Sequence, residues 1–304
     1  MRVIIPSKDA GSTQKGVANC SMYDYRIKED LEFVLDVQNQ TIEDFARDAE
    51  IDKRIVSEIL KGEKNVSKDK PEKIYSTIYD YGIRLNTSKE EIYRETSAGR
   101  KLLFHGAKKQ IETIKADGSR ENCDFGPGFY TGETFSQALS FVSDCRDASV
   151  YVFECDFEGL EILKFDCSLE WMLAICCFRN TIKEYNDNSR LIAIKERINK
   201  ADVIEAPIAD NKMFYIMQLF AKGDINDQVA LHSLAASGLG KQIVFKTEKA
   251  IQKLDCRERL YLCQKEKENN CSEMSDRSNR IDTKLKMSRR EFDGKGKYID
   301  ELFA

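Results

Sequence analysis

The chain has 304 residues, of which 41% are hydrophobic and 33% charged, with a formal net charge of -4. This length favours two modest domains, and the near balance of charge excludes a molecule drawn as a whole to nucleic acid or to an anionic membrane. The ten cysteines include no CxxC pair and only two histidines accompany them. We therefore expect no structural metal, no membrane association and a reducing, cytoplasmic setting.

The first part of the chain changes character near residue 23. Residues 1–22 are rich in Gly, Ser, Lys and Asn without helical periodicity, which predicts a flexible lead-in. In residues 23–86, apolar positions recur at helical spacing in four short blocks and predict a small all-α bundle, with Thr41 and Asp52 as helix caps. Its sequence resembles a helix-turn-helix domain of the Cro/repressor type, which implies a helix beginning near Lys53 in the DNA major groove.

The charge of this bundle leaves its partner open. Residues 26–86 hold eleven Lys or Arg against fourteen Asp or Glu, so the region lacks an overall basic footprint. A local basic cluster consists of Lys53, Arg54, Lys61, Lys64, Lys68 and Lys70. Binding of DNA, dimerisation and docking of a partner protein all remain open.

Residues 87–98 are polar and predict a linker or a linker helix. Between residues 99 and 258, short β-rich runs alternate irregularly with helical patterns, which indicates an α+β domain. Residues 259–304 form a charged tail without enough apolar side chains for a core of its own, and its last seven residues either dock as a short helix or are disordered.

Three segments of the α+β region carry the candidate chemistry. Residues 103–106, LFHG, predict a strand that presents an imidazole beside a glycine whose bare backbone can approach a ligand. Residues 124–141, DFGPGFYTGETFSQALSF, predict a Gly-rich turn, a short strand and a helix, with two aromatic faces. Residues 241–247, KQIVFKT, predict a late strand.

These segments together resemble the catalytic half of the ADP-ribosyltransferases of the diphtheria-toxin and poly(ADP-ribose) polymerase class. The resemblance implies a split β-sandwich with flanking helices that takes NAD as its substrate. It implies that His105 binds a ribose hydroxyl, and that Tyr130 and Phe141 sandwich the nicotinamide. The NAD-binding set it implies is His105, Gly106, Arg120, Phe125, Gly128, Tyr130 and Phe141.

The chain also resembles a bacterial family of uncharacterised, toxin-like relatives of these enzymes. That resemblance follows LFHG, SRENCDFGPGFYTG, the helix with Trp171, DVIEAPIADN and QIVFKTEKAI in order. It implies a toxin-antitoxin setting in which an antitoxin or another protein is the partner.

The sequence departs from the transferase pattern at the catalytic glutamate, where Gln242 stands. A carboxylate stabilises an oxocarbenium-like transition state better than an amide, although Gln242 can still accept a hydrogen bond from a ribose hydroxyl. Glu133 and Glu248 are the alternative carboxylates. Arg120 either grips the NAD pyrophosphate or pairs with a surface carboxylate.

From sequence we therefore expect an NAD-dependent mono-ADP-ribosyltransferase with His105, Tyr130 and Gln242 as its catalytic residues and an unknown protein or nucleic-acid acceptor. Two alternatives are a non-enzymatic regulator that senses NAD or another nucleotide, and an NAD glycohydrolase. We also expect His105, Tyr130 and Phe141 to converge on one cleft, and Gln242→Glu to preserve or speed nicotinamide release.

Overall fold

The computed structural model describes residues 25–62, 69–235, 238 and 240–304. The lead-in predicted for residues 1–22, and Lys64 and Lys68 of the basic cluster, lie outside the described residues. No helix in the described ranges is both long and apolar enough to cross a membrane.

Five helices form the first part of the described chain. They are α1 (Ile27–Gln38), α2 (Ile42–Asp48), α3 (Lys53–Leu60), α4 (Asp69–Asp80) and α5 (Leu85–Thr96). The predicted caps are confirmed, because the side chains of Thr41 and Asp52 accept hydrogen bonds from the backbone nitrogens of Asp44 and Arg54. The segment predicted as a linker, residues 87–98, lies largely within α5.

The α+β prediction is confirmed by a seven-stranded mixed sheet. Its strands are β1 (Lys101–Ala107), β2 (Phe129–Gly132), β3 (Ser149–Cys155), β4 (Ile162–Lys164), β5 (Val203–Pro207), β6 (Lys241–Phe245) and β7 (Leu254–Tyr261). They lie in the order β4-β5-β6-β2-β1-β3-β7, and all neighbours are antiparallel except β4 and β5.

The pairing between β1 and β2 is much shorter than that on either side of it. These strands register at one position, Phe104 opposite Gly132, whereas β1 pairs with β3 from Lys101 to Ala107. The sheet is therefore nearly divided into a four-stranded part, β4-β5-β6-β2, and a three-stranded part, β1-β3-β7.

Helices cover both faces of this sheet. The remaining ones are α6 (Phe135–Ser140), α7 (Leu169–Phe178), α8 (Ser189–Lys200), α9 (Asn211–Ala221), α10 (Asp227–Leu234), α11 (Glu248–Ile251), α12 (Gln264–Phe292) and α13 (Ile299–Phe303), with a 3-10 turn at Lys183–Tyr185.

Strand side chains alternate between the two faces, which gives each face its own core. On the first face, Phe104 packs with α6, and Tyr130 and Val244 pack with α7 and α9. On the second face, Leu103 and Ile243 pack with α11. Both faces of β3 are covered, so all seven of its residues are buried.

The predicted charged tail is mostly one long helix. The boundary predicted at 258 falls inside β7, and most of the remaining residues form the 29-residue α12. Ile281 and Leu285, one helical turn apart, are buried against the core beneath α10. The tail thus packs on a core supplied by other elements, and the last seven residues contribute α13, in which Phe303 stacks on Tyr185.

Candidate functional site

The site lies where β1 and β2 part. Beyond Phe104, the described residues of β1 pair with β3 alone. Here Nδ1 of His105 lies 2.6 Å from the carbonyl oxygen of Tyr130 on β2. A carbonyl oxygen only accepts, so Nδ1 carries the proton and Nε2 is the unprotonated acceptor. The side chain thus bridges two strands whose backbones have separated.

The His105 ring is held from one side. It stacks on Phe129 with a centroid distance of 4.4 Å and an interplanar angle of 23°. Burial lowers the pKa of His105, and the hydrogen bond to Tyr130 opposes this only in part. The imidazole is therefore neutral near pH 7. Nε2 has no hydrogen-bond partner within the described residues, so it is open to a hydroxyl donor.

Tyr130 is fixed by the Gly-rich turn that precedes it. Its hydroxyl donates to the carbonyl oxygen of Gly126 at 2.7 Å and accepts from the backbone nitrogen of Phe125 at 3.1 Å. Burial raises the pKa of Tyr130, so the phenol stays protonated. Its half-buried ring packs on the first-face core. The ring's orientation is therefore set before any ligand arrives.

The turn itself is tied down by a lysine. Gly126 has a φ of 73°, a left-handed conformation that favours glycine. Nζ of Lys246, just after β6, donates to the carbonyl oxygens of Phe125 and Pro127, each at 2.5 Å. Burial lowers the pKa of Lys246 to about 8. The Phe125 ring stacks on Phe165 inside the core, so Phe125 meets the site through its backbone.

Gly128 and Arg120 lie on either side of this turn. A Cβ on Gly128 would come within 2.6 Å of Cγ1 of Val244, so only glycine permits this approach of β2 to β6. Its backbone nitrogen donates to the Ser119 hydroxyl at 3.1 Å. Arg120 is exposed and pairs with no carboxylate of the described chain. Its guanidinium therefore remains available for an anion.

Gln242 belongs to a buried polar cluster that the sequence did not predict. Its Nε2 donates to Oδ2 of Asp124 at 2.9 Å and to the carbonyl oxygen of Pro207 at 3.0 Å. Oδ1 of Asp124 accepts from Nε of Arg179 at 2.7 Å and pairs with Nη2 of the same guanidinium. Burial raises the pKa of Asp124 above its ordinary value, although the charge of Arg179 and then the hydrogen bond from Gln242 oppose this shift. We call Asp124, Arg179 and Gln242 the amide cluster.

Helix α6 lies over the same face as the amide cluster. A Cβ on Gly106 would approach the carbonyl oxygen of Ala138 to 2.3 Å, so glycine is needed for α6 to lie this close to β1. Phe141 ends this helix as its C-cap, and 54% of its surface is exposed. A large aromatic ring is thus left uncovered at the end of the helix that crosses Gly106.

Strand register shows which of the predicted residues share a face. Tyr130 is opposite Val244 and Gly132 is opposite Gln242, so the Tyr130 and Gln242 side chains lie on the first face. Gly106 lies two residues after Phe104 on β1, so its position also belongs to the first face. The His105 ring lies on the second face with Phe129. His105 and Tyr130 therefore meet through a backbone carbonyl at the parting of the strands, and their rings lie on opposite faces.

The two alternative carboxylates are engaged elsewhere. Glu133 pairs with Nζ of Lys101 at 2.8 Å, and Glu248 accepts from the backbone nitrogen of Ala116 at 3.2 Å. Gln242 is thus the late-strand residue at the first-face part of the site. Within the described residues, no group of three or more His, Cys, Asp or Glu side chains is arranged to hold a metal.

The chain belongs to the family described as Protein of unknown function (DUF3990), whose model matches residues 102–256. The matched range contains His105, Asp124, Tyr130, Arg179 and Gln242, and it excludes α1–α5 and α12. No curated protein and no solved structure gives a match.

Proposed function

We propose that this chain is an NAD-dependent mono-ADP-ribosyltransferase of the split β-sandwich type. The observation that carries the proposal is the hydrogen bond from His105 to the Tyr130 carbonyl at the point where β1 and β2 part. This hydrogen bond leaves the unprotonated Nε2 of His105 on one side of the gap between β1 and β2, and the fixed ring of Tyr130 on the other. An elongated ligand with ribose hydroxyls and a flat ring fits both requirements.

Each residue then has a role in the reaction. Tyr130 and Phe141 stack on the nicotinamide, the Gly106 backbone binds its carboxamide, and Arg120 contacts the pyrophosphate. Nε2 of His105 and Oε1 of Gln242 accept hydrogen bonds from ribose hydroxyls. The bond between the anomeric carbon and the nicotinamide nitrogen breaks, and its electron pair leaves with nicotinamide. The acceptor's lone pair forms the new bond to that carbon.

The charge balance of this reaction suits a neutral site. Nicotinamide departs as a neutral molecule, so no general acid is required, and His105 remains unprotonated near neutral pH. With an amide at position 242, the acceptor must lose its proton to water or to a base of its own. The acceptor is thus an intrinsically nucleophilic group on a protein or a nucleic acid.

The test is incubation of the full chain with NAD labelled in the adenosine half, with and without cell lysate, while nicotinamide release is followed. Label on a macromolecule supports the transferase. Free ADP-ribose supports the glycohydrolase, and unchanged NAD supports the non-enzymatic regulator. His105→Ala and Tyr130→Ala should each reduce nicotinamide release to background. Matched controls are Tyr215→Ala and Lys28→Ala, which alter exposed residues far along the chain from these motifs.

The helix-turn-helix-like character of the bundle is supported by the turn between α2 and α3, in which Glu50 adopts a left-handed φ of 51°. Its basic residues are partly neutralised, because Lys53 and Arg54 each lie 3.5 Å from a carboxylate, those of Glu43 and Glu58. Binding of duplex DNA stays a prediction. Titration with labelled duplex at low salt tests it, since phosphate contacts weaken steeply as salt rises.

A further inference from the structure

The orientation of the Gln242 amide is settled by its neighbours. Its nitrogen faces a carboxylate oxygen of Asp124 and the carbonyl oxygen of Pro207, and neither can donate a proton when Asp124 is ionised. A flipped amide would place Oε1 against two acceptors. Oε1 therefore points away from both, and it has no hydrogen-bond partner within the described part of the chain.

Arg179 in turn fixes the position of the Asp124 carboxylate. Arg179 contacts its Oδ1 through two nitrogens, donates to the carbonyl oxygen of Ala209 at 3.4 Å, and has its guanidinium carbon 4.1 Å from the centroid of the Phe214 ring. Only 5% of Asp124 is exposed. A buried carboxylate with a fixed cation on one oxygen leaves the other to bind a donor. That donor is the Gln242 amide.

We propose that Asp124 is a positioning residue that, backed by Arg179, locks the Gln242 amide so that Oε1 serves as a single fixed acceptor for a sugar hydroxyl. This inference rests on the proposed function, since the ligand is taken to be the ribose next to nicotinamide. Asp124 touches no substrate in this account. It supplies the orientation that a carboxylate, whose two oxygens are equivalent, would not need.

The arrangement also fixes the chemistry of the ligand at this position. A neutral oxygen acceptor takes a hydroxyl donor and gives nothing to a carbonyl or to an ether oxygen. This position therefore favours a ligand group that donates a hydrogen, such as a ribose hydroxyl, over a group that only accepts. An acceptor that the ligand covers without giving it a donor loses binding free energy, so a deoxyribose analogue should react poorly.

The decisive variant is Asp124→Asn, with Asp117→Asn on an exposed loop as its matched control. Asparagine must turn its NH2 group toward either Arg179 or the Gln242 amide, and both are donors. The full chain, labelled with 15N at glutamine side chains, reports hydrogen exchange of the Gln242 NH2 by NMR, and Gln242→Glu identifies the resonance. We expect Asp124→Asn to speed this exchange by roughly tenfold or more, as loss of a hydrogen bond to a charged group implies.

The same variant is compared with the parent chain in nicotinamide release. We expect kcat to fall by about ten- to a hundredfold with KM nearly unchanged, because Oε1 acts mainly on charge that develops in the transition state. Asp117→Asn should change neither readout. Arg179→Lys, which keeps the charge but loses the paired contacts, should give a smaller change in the same direction and serves if Asp124→Asn does not fold.

The two proposals fail in different ways. Unchanged Gln242 exchange in Asp124→Asn and in Arg179→Lys overturns the positioning role, whatever the activity. Absence of nicotinamide release from the parent chain overturns the proposed function, whereas accelerated exchange in the variants still establishes that Asp124 orients the amide. Accelerated exchange with an unchanged kcat shows that the amide's orientation does not matter to the reaction and overturns the inference.

Discussion

Two buried carboxylate clusters in this molecule differ in how completely they are closed. Between the helical bundle and β7, Nζ of Lys89 lies 2.6 Å from Oδ1 of Asp30 and 2.5 Å from Oε1 of Glu258. The hydroxyls of Tyr75 and Tyr93 donate to the remaining carboxylate oxygens, each at 2.6 Å. We call this set the junction cluster. In the amide cluster, by contrast, Oε1 of Gln242 is left without a partner among the described residues.

This difference separates a structural role from a functional one. Every carboxylate oxygen of the junction cluster already accepts from a donor, so no oxygen in the cluster is free to bind a ligand. The pKa of Lys89 reflects this: burial lowers it, but Asp30 and Glu258 outweigh burial and raise it overall. In the amide cluster, the ion pair between Asp124 and Arg179 orients the neutral side-chain amide of Gln242. A buried ion pair therefore points to a functional role when a polar atom beside it lacks a hydrogen-bond partner.

The largest effect is expected from breaking the junction cluster. Lys89→Met would leave two buried carboxylates without their cation and should lower the free energy of unfolding by about 3–5 kcal/mol. Urea denaturation of the full chain measures this. Lys28→Met, which removes an exposed pair with Glu32, is the matched control and should cost less than about 1 kcal/mol. Equal losses in the two variants would contradict a closed, structural cluster.

Gln242→Glu should turn the amide cluster into a pH-dependent one. The new carboxylate would replace a nitrogen that lies 2.9 Å from Asp124, so the two acids must share a proton, and mutual repulsion raises their joint pKa. While the proton is shared, the outward oxygen still accepts and activity is retained. As pH rises and the proton is lost, repulsion displaces the side chain.

The measurement for Gln242→Glu is the ratio of nicotinamide release in the variant to that in the parent chain, at saturating NAD, from pH 5 to pH 9. The ratio should fall with rising pH, by about a hundredfold if the whole contact is lost. From sequence alone this substitution was expected to preserve or speed the reaction. A ratio at or above one across the range would support that simpler view and count against the amide cluster as described.

Another buried carboxylate, Glu266, sharpens the comparison because no Lys or Arg among the described residues forms an ion pair with it. It accepts from Nδ2 of Asn86 at 2.8 Å, and burial raises its pKa to about 7. Between its ordinary value of 4.5 and about 7, the folded state binds more protons than the unfolded state, so this group makes stability fall as pH rises through that window.

Glu266→Gln should remove that loss and raise the free energy of unfolding at pH 8 by about 1–3 kcal/mol relative to the parent chain. Denaturant melts at pH 5 and pH 8 test this, and the gain should shrink at pH 5. Glu268→Gln, on the exposed side of the same helix, is the control. A gain that is the same at both pH values would show that ionisation of Glu266 is not its source.

The smallest effect is expected at the outer edge of the site. Phe141→Ala removes an exposed ring that the core does not need, so the fold should be unchanged. If the ring stacks on nicotinamide, KM for NAD should rise by roughly two- to tenfold, as an aromatic pair worth about 0.5–1.5 kcal/mol implies. Tyr215→Ala, another exposed aromatic, is the control. An unchanged KM would remove Phe141 from the site.

Local features of this fold were predictable, whereas its distant pairings were not. The caps at Thr41 and Asp52 depend on residues two or three positions away, and the α+β pattern depends on short runs of side chains. The LFHG motif similarly predicted the strand β1, and the FGPGFY motif predicted a Gly-rich turn that leads into β2. The face on which each side chain lies depends on strand register, so the separation of the His105 and Tyr130 rings was not visible in the sequence.

The amide cluster was missed for the same reason. Asp124 and Arg179 are 55 positions apart, and Asp124 and Gln242 are 118 apart. Asp124 directly precedes a buried phenylalanine in the DFG run, which is the only local signal for it, and Arg179 has none. Residues 87–98 lie mostly in α5 and residue 258 lies inside β7, because polar residues there pack on distant elements, as Lys89 does on Glu258.

Because α12 and β7 pack against the helical bundle, the order in which parts of the chain fold is constrained. The bundle is made first, yet Asn86 binds residues 175 and 180 positions later, and Glu72 binds Tyr261, 189 positions later. Contacts this distant form slowly, because a long loop must close before they stabilise anything. During synthesis the junction cluster therefore stays incomplete, because Asp30 and Lys89 lack Glu258 until β7 has been synthesised.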